Sequence, residues 1–272
     1  MYINFFALGP GRNVDDTNDG CYTAGMNDGW CVFLFFAVAL IYSMAGFGGG
    51  STYIAVLALA GVAYDQIPVI ALVCNIVVVA GGGYHFARAG HFRWQQFWPF
   101  ALGSVPLALV GGRLPLTQAM FLWLLGTTLL SAGVLLLWPV RSQEAETAPP
   151  RGWSMAIGAG LGLLSGMVGI GGGIFLAPLL LLLRWASPKQ VAALAAVFIL
   201  LNSLAGLAGQ LLKSSAVLLD WHWLALTGAV FVGGQIGSRL GAKQISQIRV
   251  RQLTGVIVLF AAVRILADRL WR

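Results

Sequence analysis

The chain has 272 residues, of which 58% are hydrophobic and only 9% are charged, with a mean hydropathy of +0.83 and a net charge of +7. An ordinary soluble domain carries about 25% charged residues, so this composition excludes a soluble globule and predicts a membrane protein. The excess of basic residues does not indicate nucleic-acid binding, because lysines and arginines stand between apolar runs and not in a basic cluster with interleaved aromatic residues.

Residues 1–29 are predicted to be a polar N-terminal tail. They lack the basic start and apolar core of a signal peptide, and they contain four aspartates, Asp15, Asp16, Asp19 and Asp28. A disulfide between Cys21 and Cys31 is an open alternative there, with unpaired thiols favoured. Together with Cys74 these cysteines show no metal-site spacing.

Two apolar stretches are too long for single membrane spans. Trp30 to Tyr64 and Trp153 to Leu183 contain no charged residue. As single helices they would measure about 52 and 46 Å at 1.5 Å per residue, against a hydrocarbon core of about 30 Å. Each is interrupted near its middle by a glycine turn, Gly46–Gly50 and Gly169–Gly173, and the two turns are 123 residues apart. Both stretches are therefore predicted to break or to re-enter the membrane.

Each broken pair is followed by three plainer apolar segments. They are Ile67–Ala87, Trp94–Gly112 and Leu114–Val140 in the first half, and Gln190–Leu212, Trp221–Ser238 and Gln252–Ala267 in the second. The predicted fold is all-α and polytopic, with a first transmembrane repeat at 30–140, an inside linker at 141–152 and a second transmembrane repeat at 153–272. The linker is polar and contains two prolines, as an exposed loop does.

The count of segments predicts that the two repeats are inverted. Five passes per half, an odd number, turn the second half upside down, and a re-entrant pair gives the same parity as two full passes. With the N-terminus outside, ten of the sixteen basic residues fall in inside loops, as the positive-inside rule requires. These are Arg88, Arg93, Arg141, Arg151, Arg184, Lys189, Arg239, Lys243, Arg249 and Arg251. Four passes per half is the alternative, and it fits the basic residues less well.

The glycine turns are the predicted substrate site. A helix that begins at such a turn presents unpaired N–H groups and a partial positive charge, and glycine lets the backbone approach a ligand closely. The candidate residues of the first turn are Gly48, Gly49, Gly50, Ser51 and Thr52, and those of the second are Gly171, Gly172 and Gly173. Two such ends meeting near the membrane midplane would bind an anion without a buried lysine or arginine. Close helix packing at small residues is the alternative explanation of the glycines.

Asn75 and Asn202 are candidates to complete the polar lining, since an amide at membrane depth must bond another helix or a ligand. No acidic residue falls at a predicted mid-span position, which argues against a carboxylate-centred sodium or proton site. The sequence contains no catalytic constellation, metal-ligand cluster or nucleotide-binding loop, so neither an enzyme nor a bound cofactor is expected.

Two motifs resemble those of a known family. Gly166-Met-Val-Gly-Ile-Gly-Gly-Gly-Ile-Phe-Leu-Ala-Pro178 with Val191–Phe198, and in weaker form Gly46–Gly50 with Pro68–Asn75, resemble the TauE/SafE sulfite exporters, also called the toluene sulfonate uptake permease family. The resemblance runs from about Val32 to Leu266. It implies secondary transport, usually export, of sulfite, organosulfonates or related anions across the bacterial inner membrane. The family's short polar Thr-Ser pair is replaced here by Cys74-Asn75, so substrate detail is expected to differ.

The sequence thus predicts an inner-membrane secondary transporter of a sulfur-containing anion that works by alternating access, with both termini outside. The expected partners are this small anion and membrane lipid, with no nucleic acid. Export or import, proton coupling or uniport, and monomer or homodimer stay open. An anion channel and a membrane-anchoring subunit without transport of its own are the alternatives.

Overall fold

A computed structural model describes residues 29–139, 150–213, 221–243 and 247–270. The predicted N-terminal tail before residue 29, including Cys21, and linker residues 140–149 lie outside the described residues. The described ranges are helical and contain no strand. The first half contributes five helices, namely α1 (Gly29–Met44), α2 (Gly50–Leu59), α3 (Ile67–Arg88), α4 (Trp94–Arg113) and α5 (Gln118–Leu137). The second contributes α6 (Arg151–Val168), α7 (Gly173–Leu182), α8 (Pro188–Lys213), α9 (Trp221–Lys243) and α10 (Gln247–Leu270).

The predicted all-α membrane fold is confirmed. Among the described helices, four are long and apolar enough to cross a membrane, at Ile67–His85, Gln118–Leu137, Pro188–Lys213 and Arg249–Ala267. Both over-long stretches break at their glycines as expected, and α2 and α7 have ten residues each, about 15 Å or half the hydrocarbon core.

Helix packing is the same when the two halves are exchanged. α4 packs on α6 and α9 packs on α1, so the first helix of each half lies against the fourth helix of the other half. α3 packs on α8 and α5 packs on α10, so the third and fifth helices each contact their own counterpart. α2 contacts α3 and α10, and α7 correspondingly contacts α8 and α5. The halves are therefore interlocked and do not form separate bundles.

The counterpart helices run antiparallel to each other. A side chain added at Gly83 would meet Val197, whereas one added at Gly206 would meet Leu72. Residues later in α3 thus face residues earlier in α8. α5 and α10 behave alike, since Gly126 faces Leu266 and Gly133 faces Leu259. Antiparallel counterparts agree with the predicted inverted repeat and disagree with four passes per half, which would make them parallel.

Glycines spaced four residues apart make the closest helix contacts. On α6, Gly158, Gly162 and Gly166 lie against the backbone carbonyls of Phe100, Ser104 and Ala108 in α4. On α9, Gly233, Gly237 and Gly241 lie against the backbone of Phe36, Leu40 and Met44 in α1. Small residues at this spacing let membrane helices approach to backbone contact. Packing thus accounts for these glycines.

Candidate functional site between the two glycine turns

Both turns fold back along the helix that precedes them. A Cβ added at Gly49 would lie 3.0 Å from Val38 in α1, and one added at Gly172 would lie 3.3 Å from the Leu161 carbonyl oxygen in α6. Val38 and Leu161, like Gly49 and Gly172, are 123 residues apart. Each turn therefore starts its short helix beside the middle of a longer one, with the helix N-terminus inside the protein.

Glycine is required at these turns by backbone conformation. Gly49 and Gly172 are the N-caps of α2 and α7, with φ of 86° and 75°. This left-handed region is costly for residues with a Cβ. No side chain caps either helix, Ser51 and Thr52 included. Thr52 instead forms a hydrogen bond through its Oγ1 to the hydroxyl group of Tyr42 in α1.

Asn75 of α3 joins the two turns. Its Oδ1 accepts a hydrogen bond of 2.9 Å from the Gly50 amide, the first N–H of α2. Its Nδ2 donates a hydrogen bond of 3.2 Å to the carbonyl oxygen of Ile170, in the second turn. Asn75 is completely buried, and its side chain also fills the space beside Gly48, where a Cβ would collide with Oδ1. The two turns therefore meet, as the sequence predicts, and a buried carboxamide lies between them.

The second turn has polar groups without partners. Within the described ranges, the Gly173 and Ile174 amides at the start of α7 have no hydrogen-bond acceptor, whereas the Gly50 amide of α2 has Asn75. The Ser203 hydroxyl group of α8 is fully buried without a partner, and it would lie 3.2 Å from a Cβ at Gly171. Buried polar groups are normally hydrogen-bonded, so these donors are available to an acceptor that enters the site.

The structure divides the predicted site residues into two groups. Gly48, Gly50, Asn75 and Gly171 are brought together around the Asn75 carboxamide. Gly172 and Gly173 face α8, where added side chains would meet Phe198 and Ile199. Asn202 is buried, but its Nδ2 donates to the Phe198 carbonyl oxygen of its own helix at 2.8 Å, and among described residues no hydrogen bond joins it to either turn.

Ser203 is the residue that sequence reasoning passed over in favour of its neighbour. Ser203 and Ile199 are four residues apart on α8 and both face Gly171, so they share one helix face. Asn202 lies one position round the helix. Tyr42, the partner of Thr52, was also missed. In the sequence, only the four-residue spacing between Ile199 and Ser203 favours Ser203 as a site residue. That spacing is informative only once Ile199 is known to face the second turn.

The electrostatics of the site come from the backbone. The N-termini of α2 and α7 each contribute a partial positive charge of about half an elementary charge. No acidic, basic or histidine side chain takes part in the contacts described above, and no cluster of potential metal ligands occurs in the described part of the chain. The arrangement is suited to a small anion that accepts several N–H hydrogen bonds.

Comparison with known proteins identifies the family of this chain. The family described as sulfite exporter TauE/SafE matches residues 31–265. A relative named "Probable membrane transporter protein y4hK", from Sinorhizobium fredii (strain NBRC 101917 / NGR234), is 33% identical over 239 residues, which cover 85% of this chain and 95% of that protein. No solved structure matches the chain at a comparable level of significance. The chain therefore belongs to the TauE/SafE family of membrane transporters and not to an enzyme class.

Proposed function

We propose that this protein is a secondary transporter that exports sulfite, an organosulfonate or a related sulfur-containing anion across the inner membrane. The substrate binds between the two glycine turns. The binding residues are Gly48, Gly49, Gly50, Ser51, Thr52, Asn75, Gly171, Gly172, Gly173 and Asn202, to which the geometry adds Ser203.

The observation that carries this proposal is the pair of hydrogen bonds made by Asn75. They place the N-terminus of α2 and the turn that leads into α7 on either side of one side chain, inside the protein. Asn75 Oδ1 accepts from Gly50 N at 2.9 Å, as an oxygen of a bound anion would. The carboxamide thus imitates one ligand oxygen at the first turn, while the Gly173 and Ile174 amides stay available for others.

The conformation described here is closed. Residues 45–55 and 168–178, which include both turns, are buried, so an anion can reach the turns only if helices move apart. The antiparallel counterpart helices fit one way of opening the site. If one inverted repeat rocks against the other, the site opens alternately to the two sides of the membrane. Asn75 must then release Gly50 or Ile170 in each cycle.

A sulfite or sulfonate group suits this site chemically. Its oxygens accept several N–H hydrogen bonds, and its charge is stabilised by two helix N-termini in a medium of low dielectric constant. The family name and the similarity to a probable membrane transporter support transport, and the electropositive backbone site supports an anion.

The test is transport by purified protein in proteoliposomes, with Asn75→Asp as the decisive variant. Aspartate keeps an oxygen that accepts from Gly50, loses the Nδ2–H that donates to Ile170, and places a negative charge at the turns that repels an incoming anion. Radiolabelled sulfite uptake by the wild-type protein should saturate, and in Asn75→Asp it should fall by at least about a hundredfold, equivalent to about 2.8 kcal/mol.

Sulfite, sulfate, thiosulfate, taurine, sulfoacetate and acetate should then be compared as stabilisers of the purified protein, because a ligand that binds only the folded state raises the melting temperature. Full sulfite transport by Asn75→Asp would place the site elsewhere. Non-saturating flux without counterflow would indicate a channel, and stabilisation by none of the anions would favour a membrane-anchoring subunit.

A further inference from the structure

Arg251, at the start of α10, is a buried cation with incomplete hydrogen bonding. Only 2% of its surface is exposed. Its Nη2 donates a 2.6 Å hydrogen bond to the carbonyl oxygen of Trp138, which follows the last residue of α5. Its Nε and Nη1 are buried and have no partner. A guanidinium group that is removed from water and left partly unpaired is strongly destabilising, so a compensating group is required.

Thr254 lies next to Arg251 and is also unpartnered. It is three residues further along α10, which puts both side chains on the same helix face. Its side chain is fully buried, and its hydroxyl group makes no hydrogen bond. A hydroxyl and two guanidinium nitrogens without acceptors thus lie on one face of α10, and the guanidinium group contacts the residue that follows α5.

A structural role at the end of α5 explains only part of this arrangement. Basic side chains commonly bind the unpaired carbonyl groups of a helix C-terminus, and Arg251 does so through Nη2. That bond leaves the Nε, the Nη1 and the Thr254 hydroxyl without acceptors. Among side chains that the structure describes, the one carboxylate is Asp65, and no hydrogen bond or ion pair joins it to Arg251, whose guanidinium group bonds the Trp138 carbonyl oxygen. No acidic partner for Arg251 is therefore present in the described part of the chain.

We propose that Arg251 and Thr254 form a second anion-binding site, separate from the glycine turns, that takes a small oxyanion such as sulfite or sulfate. The guanidinium group supplies charge and N–H donors through Nε and Nη1, and the Thr254 hydroxyl supplies one further hydrogen bond. The site lies near the start of the candidate span Arg249–Ala267, at the membrane surface that the positive-inside count assigns to the cytoplasm. It would therefore bind an anion before the anion reaches the turns.

This proposal shares the class of ligand with the proposed function but does not require transport. Isothermal titration of the purified protein with sulfate, and with sulfite under anaerobic conditions, should give two bound anions per chain. Arg251→Gln should weaken one of the two by at least about tenfold and leave the other. Gly171→Ala should remove the other and leave the Arg251 site. If Gly171→Ala weakens anion binding but Arg251→Gln does not, the glycine turns are the only anion site and this proposal is overturned.

The matched control is Arg249→Gln, which removes the same charge from an exposed residue two positions away. It should leave both anions bound. If Arg251→Gln does not fold, Thr254→Val is the second variant. Because it removes an unpartnered hydroxyl without changing side-chain volume, it should keep the melting temperature and weaken one anion several-fold. Unchanged binding of both anions in Thr254→Val and in any folded Arg251 variant overturns the proposal.

The inside linker is the other source of an oxyanion for Arg251. Glu144 and Glu146 follow Trp138 by six and eight residues in the sequence. A variant with Glu144→Gln and Glu146→Gln should bind both anions as the wild type does. If this variant instead gains affinity at one site, or loses stability that sulfate restores, a linker carboxylate occupies the guanidinium group and the proposal is wrong.

Discussion

The two glycine turns share a backbone design but differ in how their polar groups are satisfied. In the first turn the Gly50 amide is bound by Asn75, and the Thr52 hydroxyl group is bound by Tyr42. In the second turn Phe198 occupies the position 123 residues after Asn75, and no side chain accepts from Gly173 within the described residues. The second turn thus has the same electropositive end but no internal acceptor for its first amide.

This difference assigns separate tasks to the two turns. The first is held closed by protein groups, and Asn75 attaches it to the second. At the start of α7 the Gly173 and Ile174 amides are both free, whereas at the start of α2 the Gly50 amide is bound by Asn75 and the Ser51 amide is free. Unpartnered hydroxyl groups lie beside both turns, Tyr53 at the first and Ser165 and Ser203 at the second, so among the described residues the second turn has more vacant donors. We expect the anion to engage the second turn first and to compete with Asn75 for the first.

The largest effect should follow from a bulky residue in either turn. Gly49→Leu and Gly172→Leu require a left-handed φ, and their Cβ atoms would lie 2.8 Å from Tyr53 and 2.9 Å from Phe198. Sulfite transport should fall by at least about a hundredfold in each variant. Transport in proteoliposomes measures this, with insertion checked by yield and by elution as a single species.

Gly61→Leu is the control for these two variants. Gly61 has φ of 78°, but nothing lies within 4 Å of a Cβ placed there. The control therefore bears the same backbone strain without the collision, and its transport should stay within a few-fold of wild type. Equal losses at all three positions would show that strain, and not the site, is responsible.

Packing glycines should affect stability and leave the binding site intact. Gly162→Ala places a Cβ against the Ser104 carbonyl oxygen in the interface of α4 and α6. Overpacking of this kind costs about 1–3 kcal/mol, so the melting temperature should fall by several degrees. Gly160→Ala, on the same helix with nothing within 4 Å, should be neutral or slightly stabilising. An unchanged melting temperature in Gly162→Ala would contradict the close approach of the two helices.

The sequence was sufficient for the elements of this fold but not for the partners inside it. The predicted segments Trp94–Gly112 and Gln190–Leu212 differ from α4 and α8 by at most two residues at either end, because charge-free length and glycine position are local signals. The bond from Asn75 to Gly50 was not predictable in this way. It depends on the register between α3 and the first turn, which is set by packing across both halves.

A matched pair of conservative variants tests the difference between the turns directly. Ser203→Ala removes a hydroxyl group that has no partner, so stability should be kept while sulfite binding at the second turn weakens several-fold. Thr52→Val breaks the buried bond to Tyr42, so stability should fall by about 1 kcal/mol, while sulfite binding weakens less than in Ser203→Ala because the Thr52 hydroxyl group is engaged by Tyr42.

Titration with sulfite and thermal unfolding should be measured on both variants. We expect opposite patterns: Ser203→Ala should mainly lose sulfite affinity, and Thr52→Val should mainly lose stability. If Thr52→Val weakens binding as much as Ser203→Ala does, the two turns contact the anion equally and the assigned difference between them is wrong.

The smallest effect is expected at Asn202. Its Nδ2 is used on the Phe198 carbonyl oxygen of its own helix, and its Oδ1 is buried without a partner. Asn202→Leu has similar volume and removes a polar group that costs free energy to bury, so stability should be equal or higher. If Asn202 contacts the anion only through rearrangement of α8, sulfite affinity should fall about two- to threefold, less than in Ser203→Ala. A larger loss than in Ser203→Ala would show that α8 rotates on binding and brings Asn202, one position round the helix, to face Gly171.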